Sequence, residues 1–144
     1  MDDTFELERF TRAQAPVFDQ VAAELRAGRK RSHWMWFIFP QLAGLGRSAM
    51  AQQYAIGSLD EARASLGHPL LGERLRQCCA LALAVQGSCA LEVFGAPDDM
   101  KFRSSLTLFA AAAPGVAVFR QCLDQYFDGV PDPATLALIG RSGA

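Results

Sequence analysis

The chain has 144 residues, 51% of them hydrophobic and 20% charged, a balance that excludes intrinsic disorder. That length suits one domain burying roughly 68–70% of the surface its unfolded form exposes. Lysine and arginine total 14 against 15 acidic residues, a net charge of −1, so no whole-molecule attraction to nucleic acid or to an anionic membrane is indicated.

The opening Met1-Asp2-Asp3-Thr4-Phe5-Glu6 is acidic and then amphipathic, which is not the basic-then-apolar order of a secretory leader. Phe5, Leu7 and Phe10 predict a short first helix with Thr4 as its N-cap. After Pro16, the recurrence of Val17, Val21 and Leu25 predicts an amphipathic helix stopped by Gly28. Helices are predicted over Ser48 to Ala55 and Ser58 to Leu66, each opening on a capping serine, the second with Glu61 completing a capping box. The longest runs from Pro69 to Val85, its buried stripe formed by Leu71, Leu75, Cys78, Cys79 and Ala82. The uncharged stretch Gln77 to Leu91, which overlaps its end, falls short of the roughly 20 apolar residues that span a bilayer. Ala90 to Phe94 reads equally as a strand or a helical turn. Pro97-Asp98-Asp99 opens a further helix, with Phe102, Leu106, Phe109 and Ala113 at apolar spacing and Pro114-Gly115 as its stop. Val116 to Phe127 and Pro133 to Ile139 complete the set. No stretch sustains a period of two with β-branched residues. The expectation is an all-α single compact domain, residues 1–144, of about seven helices with no substantial sheet.

Cys78, Cys79, Cys89 and Cys122 form no C-x-x-C, and three of them sit in apolar helical stretches, so they read as reduced, mostly buried thiols of a cytoplasmic protein. With only His33 and His68 to add, no metal site is expected. No cofactor is expected either: Walker A and dinucleotide glycine patterns are absent, as is a G-x-S-x-G nucleophile turn.

Several words are unusual: Gly28-Arg29-Lys30-Arg31-Ser32-His33-Trp34-Met35-Trp36-Phe37-Ile38-Phe39-Pro40-Gln41, then Gly44-Leu45-Gly46, His68-Pro69-Leu70-Leu71-Gly72, Phe94-Gly95-Ala96-Pro97-Asp98-Asp99-Met100-Lys101 and Ser104 to Phe109. Together, from Phe5 to Ile139, they closely resemble the DUF1810 family, small bacterial proteins of unassigned function. That resemblance implies a mainly helical single domain. One departure is Ser65, where an aromatic is expected in that family, which bears on local packing alone. A fainter similarity is to the NADAR group of N-glycosidases acting on ADP-ribose-type substrates. It rests on an acidic residue, here Glu92, shortly before an aspartate-containing turn.

Three groups of residues carry candidate chemistry. At about 100° per residue, Asp98, Phe102, Ser105 and Phe109 share a narrow arc of one helix with Lys101 beside it. A carboxylate, an ammonium and a hydroxyl therefore border a core-facing surface. An isolated D-x-x-K is usually a surface ion pair, but Lys101 is one of only two lysines among twelve arginines. The second group is His33 to Gln41: Met35, Phe37, Ile38 and Phe39 read as core, whereas His33, Trp34 and Trp36 carry polar tips that want partners when buried, and a pocket lined by the indole faces and closed by His33 and Gln41 would suit a planar base or a sugar. Arg26, Arg29, Lys30 and Arg31 precede it, a solvated turn in the ordinary case and a phosphate holder beside a pocket. The third, Gly44-Leu45-Gly46 ahead of a helix, is an ordinary loop unless it lies near that pocket.

The leading functional expectation is binding of a nucleotide or ADP-ribose-like ligand, extending to hydrolysis of its N-glycosidic bond. Asp98 or Glu92 would then be the base, Lys101, Ser104 and Ser105 would hold oxygens, Trp34 or Trp36 would stack, and His33, Gln41 and Arg31 would complete the site. The alternatives are a non-catalytic interaction protein and, against the neutral charge balance, a nucleic-acid-binding module. No membrane partner is expected, and the sequence sets no oligomeric state.

Overall fold

The structure is a computed structural model and describes residues 3–141, so the opening Met1-Asp2 of the stretch read against a leader lies outside it. Among the described residues there are ten helices and no strand, a correction to the expected seven or so. Two additions are α3 (Met35–Ile38) and α7 (Ala90–Phe94), of four and five residues, too short to show a helical period in the sequence.

The sequence signals explain most of the others. Helix α1 (Glu8–Gln14) begins later than Phe5, because the Asp3 carboxylate accepts from the amides of Leu7 and Glu8 at 2.7 and 3.1 Å. Helix α2 (Phe18–Arg26) buries Val21, Ala22 and Leu25 and ends at Gly28, whose φ of +74° only glycine adopts without strain. Ser48 caps α4 (Ala49–Gln53) and Ser58 caps α5 (Leu59–Gly67). The Glu61 carboxylate accepts from Gly57 N–H, not from Ser58, and pairs with Arg9 at 2.9 Å, so only half of the predicted capping box forms.

His68 closes α5 and starts α6 (Pro69–Ala84), its Nδ1 accepting from the amides of Leu70 and Leu71. The corner is tight: a Cβ on Gly72 would sit 2.0 Å from the Leu66 carbonyl oxygen. Helices α8 (Asp98–Ala112), α9 (Ala117–Phe127) and α10 (Pro133–Arg141) complete the chain. Asp132 is the cap of α10, its Oδ2 accepting from Thr135 N–H at 3.0 Å.

Helix α8 is the centre of the molecule. It is buried on nearly every side from Ser104 to Ala110 and packs against α9, α5, α10 and α7. Phe102 has no exposed surface and touches four rings: Phe39 at 4.9 Å, Phe94 at 4.3 Å, Tyr126 at 5.8 Å and Phe127 at 6.1 Å between centroids. Such packing draws the end of α3 and the end of α7 onto the first turns of α8. The Lys30 amide then bonds the Val93 carbonyl at 2.7 Å, tying the post-α2 loop to the same place. Ser65 is buried on α5 beside a crevice of only about 10 Å³, so the absent aromatic leaves no sizeable void.

Candidate functional site

The loop between α2 and α3 is ordered by one carboxylate. Glu24 lies on the buried stripe of α2, 3% exposed. Its Oε1 accepts from Arg31 N–H (2.7 Å), Ser32 N–H (3.0 Å) and Trp34 Nε1–H (2.9 Å); its Oε2 accepts from Ser32 Oγ–H (2.6 Å) and Gln20 Nε2–H (2.8 Å). Burial alone would raise its pKa, but the donors from Ser32, Arg31, Gln20 and Trp34 outweigh it and hold the carboxyl down at about 2.

That loop delivers Lys30 to the first turn of α8. Lys30 Nζ lies 2.8 Å from Asp98 Oδ2, donates to the Ser32 carbonyl at 2.6 Å and sits over the Trp34 ring, 5.1 Å from its centroid. Its side chain is 6% exposed. Lys101 approaches the same carboxylate from the other side. Its Nζ is 3.7 Å from Asp98 Oδ1, 5.4 Å from the Trp36 centroid, and the side chain is 24% exposed. Two ammonium groups thus share one carboxylate, with one positive charge left over.

Lys30, Asp98 and Lys101 line a cleft of about 260 Å³, together with His33, Met35, Trp36, Ala96 and Pro97. It is an electropositive hollow with an indole wall and a carboxylate at the positive end of the α8 dipole. The chemistry such a hollow performs best is anion binding.

The sequence profile of DUF1810, described as a protein of unknown function, matches residues 4–139. The chain belongs to the DUF1810 family. A crystal structure of the conserved hypothetical protein Rv1873 from Mycobacterium tuberculosis, at 1.38 Å, is similar to this DUF1810 protein at 54% identity and a TM-score of 0.95, covering 96% of this chain and 99% of that one. No curated protein matches it.

Of the residues singled out in the sequence of this DUF1810 member, Asp98, Lys101, His33 and Trp36 come together in the cleft. Gln41 lies behind them, in a crevice of about 10 Å³ that it shares with Trp36, Lys101 and Gly46 and that has no room for a ligand. Trp34 is 1% exposed with its indole N–H spent on Glu24, so it backs Lys30 and does not face the hollow. The Arg31 side chain is exposed and its amide bonds Glu24. Glu92 is on the surface, where the Cys89 amide donates to it at 2.8 Å and lowers its pKa. Ser104 bonds the Met100 carbonyl and Asp132, both at 3.1 Å. Ser105, 1% exposed, has an unpartnered hydroxyl inside the core.

Sequence reasoning did not single out Glu24, and it took Lys30 only as part of a basic cluster. Both signals were present. Glu24 interrupts an apolar stripe, where a carboxylate needs partners, and Lys30 is the other of the two lysines.

A larger open depression of about 630 Å³ lies around Arg9. Its guanidinium is already committed to the carbonyls of Phe5, Glu6, Gln53 and Ala55 and to Glu61, leaving little for a ligand. Among the described residues no three His, Cys, Asp or Glu side chains cluster to hold a metal, and no helix is long and apolar enough to cross a membrane.

Proposed function

We propose that the cleft is the binding site for a small anionic, nucleotide-like ligand. The observation that supports this most is the unequal pair of lysines. Lys30 is buried and close to Asp98, so it acts as the fixed counter-ion; Lys101 is looser and four times as exposed, so its ammonium is the one available to an incoming phosphate or acid group. His33 and the Trp36 indole supply a further polar contact and an apolar wall. A volume of about 260 Å³ lies just below the usual ~300–1,000 Å³ of small-molecule sites. It suits a mononucleotide or one end of a dinucleotide.

Hydrolysis of an N-glycosidic bond would need a carboxylate with a free oxygen to take a proton from water. Glu92 does not line the cleft and is committed to its cap, so that role falls to Asp98. Its Oδ2 is held by Lys30, which leaves Oδ1. Both oxygens face ammonium groups, an arrangement better suited to orienting lysines than to accepting protons. Binding is therefore the conclusion, with turnover measured in the same experiment.

Both tryptophans of the chain lie at this place, so titration with AMP, ADP-ribose and NAD followed by tryptophan fluorescence reads the site directly. Saturable quenching that is lost in Lys101→Met supports the proposal, and nicotinamide release from NAD reports turnover. No response at millimolar ligand overturns it.

A further inference from the structure

We propose that Glu24 is the positioning residue of the cleft: its buried carboxylate gathers residues 31–34 and so fixes the Lys30 ammonium against Asp98. The role rests on the cleft being the ligand site proposed above, while its structural part stands independently.

Glu24 forms no ion pair among the described residues, and a buried carboxylate without a cation persists only if hydrogen bonds saturate it. Five donors do so, and four of them belong to Arg31, Ser32 and Trp34. Ending α2 needs none of the side-chain donors. Helix α2 closes with its own backbone bonds from Ala27, Gly28 and Arg29 to the last carbonyls. The indole and the serine hydroxyl are additional, and both bear on Lys30.

Lys30 Nζ has three supports: the Ser32 carbonyl, the Trp34 ring face and Asp98 Oδ2. The first two belong to residues that Glu24 holds. Ser32 is pinned by its own amide and hydroxyl on the carboxylate, one backbone torsion away from the carbonyl that Lys30 uses; the Trp34 ring is set by its Nε1–H on the same group. A leucine at position 24 would fill the space but give the loop no fixed orientation. The ammonium would then have only Asp98, and one contact does not hold a flexible four-carbon side chain in a single position. Support of this kind, one shell behind the groups that meet the ligand, is what holds a site in a productive geometry.

The test uses the full chain and its two lysines. Acetylation by an N-hydroxysuccinimide ester, with peptide mapping by mass spectrometry, gives the reactivity of Lys30 relative to Lys101. In the wild type Lys30 reacts at least about tenfold more slowly, because its amine is enclosed and bonded. In Glu24→Ala its rate rises to that of Lys101, and AMP affinity falls about tenfold, a loss of the size seen when outer-shell support is removed. Glu24→Gln retains most of the protection, since an amide oxygen takes over the three donors at Oε1; this rescue separates orientation from mere occupancy of the space. Lys30 remaining as protected in folded Glu24→Ala as in the wild type would overturn the proposal. Should that variant not fold, Ser32→Ala removes one donor and leaves α2 intact. Protection then drops severalfold, and unchanged protection overturns the proposal equally. If no probe binds the wild type, the ligand reading fails, and the acetylation pattern still decides whether Glu24 fixes Lys30.

Discussion

Acid should destabilise this protein through Glu24 more than through any exposed carboxylate. Its pKa is about 2 in the fold against an ordinary 4.5, and a depressed folded pKa means stability that is present above the unfolded value and lost as pH falls below it. Each pH unit of difference corresponds to about 1.4 kcal/mol, so the contribution is about 3 kcal/mol, full above pH ~5.5 and gone near pH 2. The group is 3% exposed but lies under a thin cover close to solvent, so screening makes that figure an upper bound. Urea unfolding followed by circular dichroism at pH 6.5, 5, 4 and 3 measures it, with Glu24→Gln as reference. A glutamine stands in for the protonated acid, so the wild type should exceed the variant by up to about 3 kcal/mol at pH 6.5 and converge on it toward pH 2. Asp3 and Glu92 also have lowered pKa values, but they are common to both proteins and cancel in the difference. Parallel curves, separated by a constant amount at every pH, would refute the reasoning.

The two lysines should part company when each is replaced by methionine. Lys101→Met loses ligand-induced quenching while its unfolding free energy moves by less than about 1 kcal/mol, as for a partly exposed ion pair; Lys30→Met loses both, with about 1–3 kcal/mol of stability, because Asp98 and the Ser32 carbonyl lose a buried donor. Phe102→Ala should cost about 3–5 kcal/mol in a urea titration, since four rings lose their common partner, and a cost under about 1 kcal/mol would mean the cluster is not the anchor. Thiol titration of the native protein at pH 8 should count one fast cysteine, Cys89. Cys78, pushed up to about 12 by burial, and the buried Cys79 and Cys122 react only on unfolding.

The helical character of the chain was legible because each long helix must bury one stripe, and Val21 with Leu25, or Leu71 with Leu75 and Cys78, declares that stripe at a period near 3.6. Caps were legible where a side chain bonds its own helix, as Ser48 and Ser58 do. The Asp98–Lys101 neighbourhood followed from one turn of helix geometry. Short helices such as α3 and α7 were not legible, since a single turn has no period and its formation depends on what it packs against.

Within the polypeptide by itself lay the all-helical class, the stops at Gly28 and Pro114, and the rarity of lysine that marks positions 30 and 101. Only tertiary structure decided which of two adjacent indoles faces the hollow. Trp36 does, and Trp34 turns its N–H inward to a glutamate ten residues earlier. It likewise decided that a basic turn would send one ammonium inward and leave its arginines in water. Local spacing fixes which side chains share a helix face. Which of them meet across α2, α3 and α8 depends on the desolvation of Glu24 and the ring packing around Phe102, and both exist only once the chain has closed on itself.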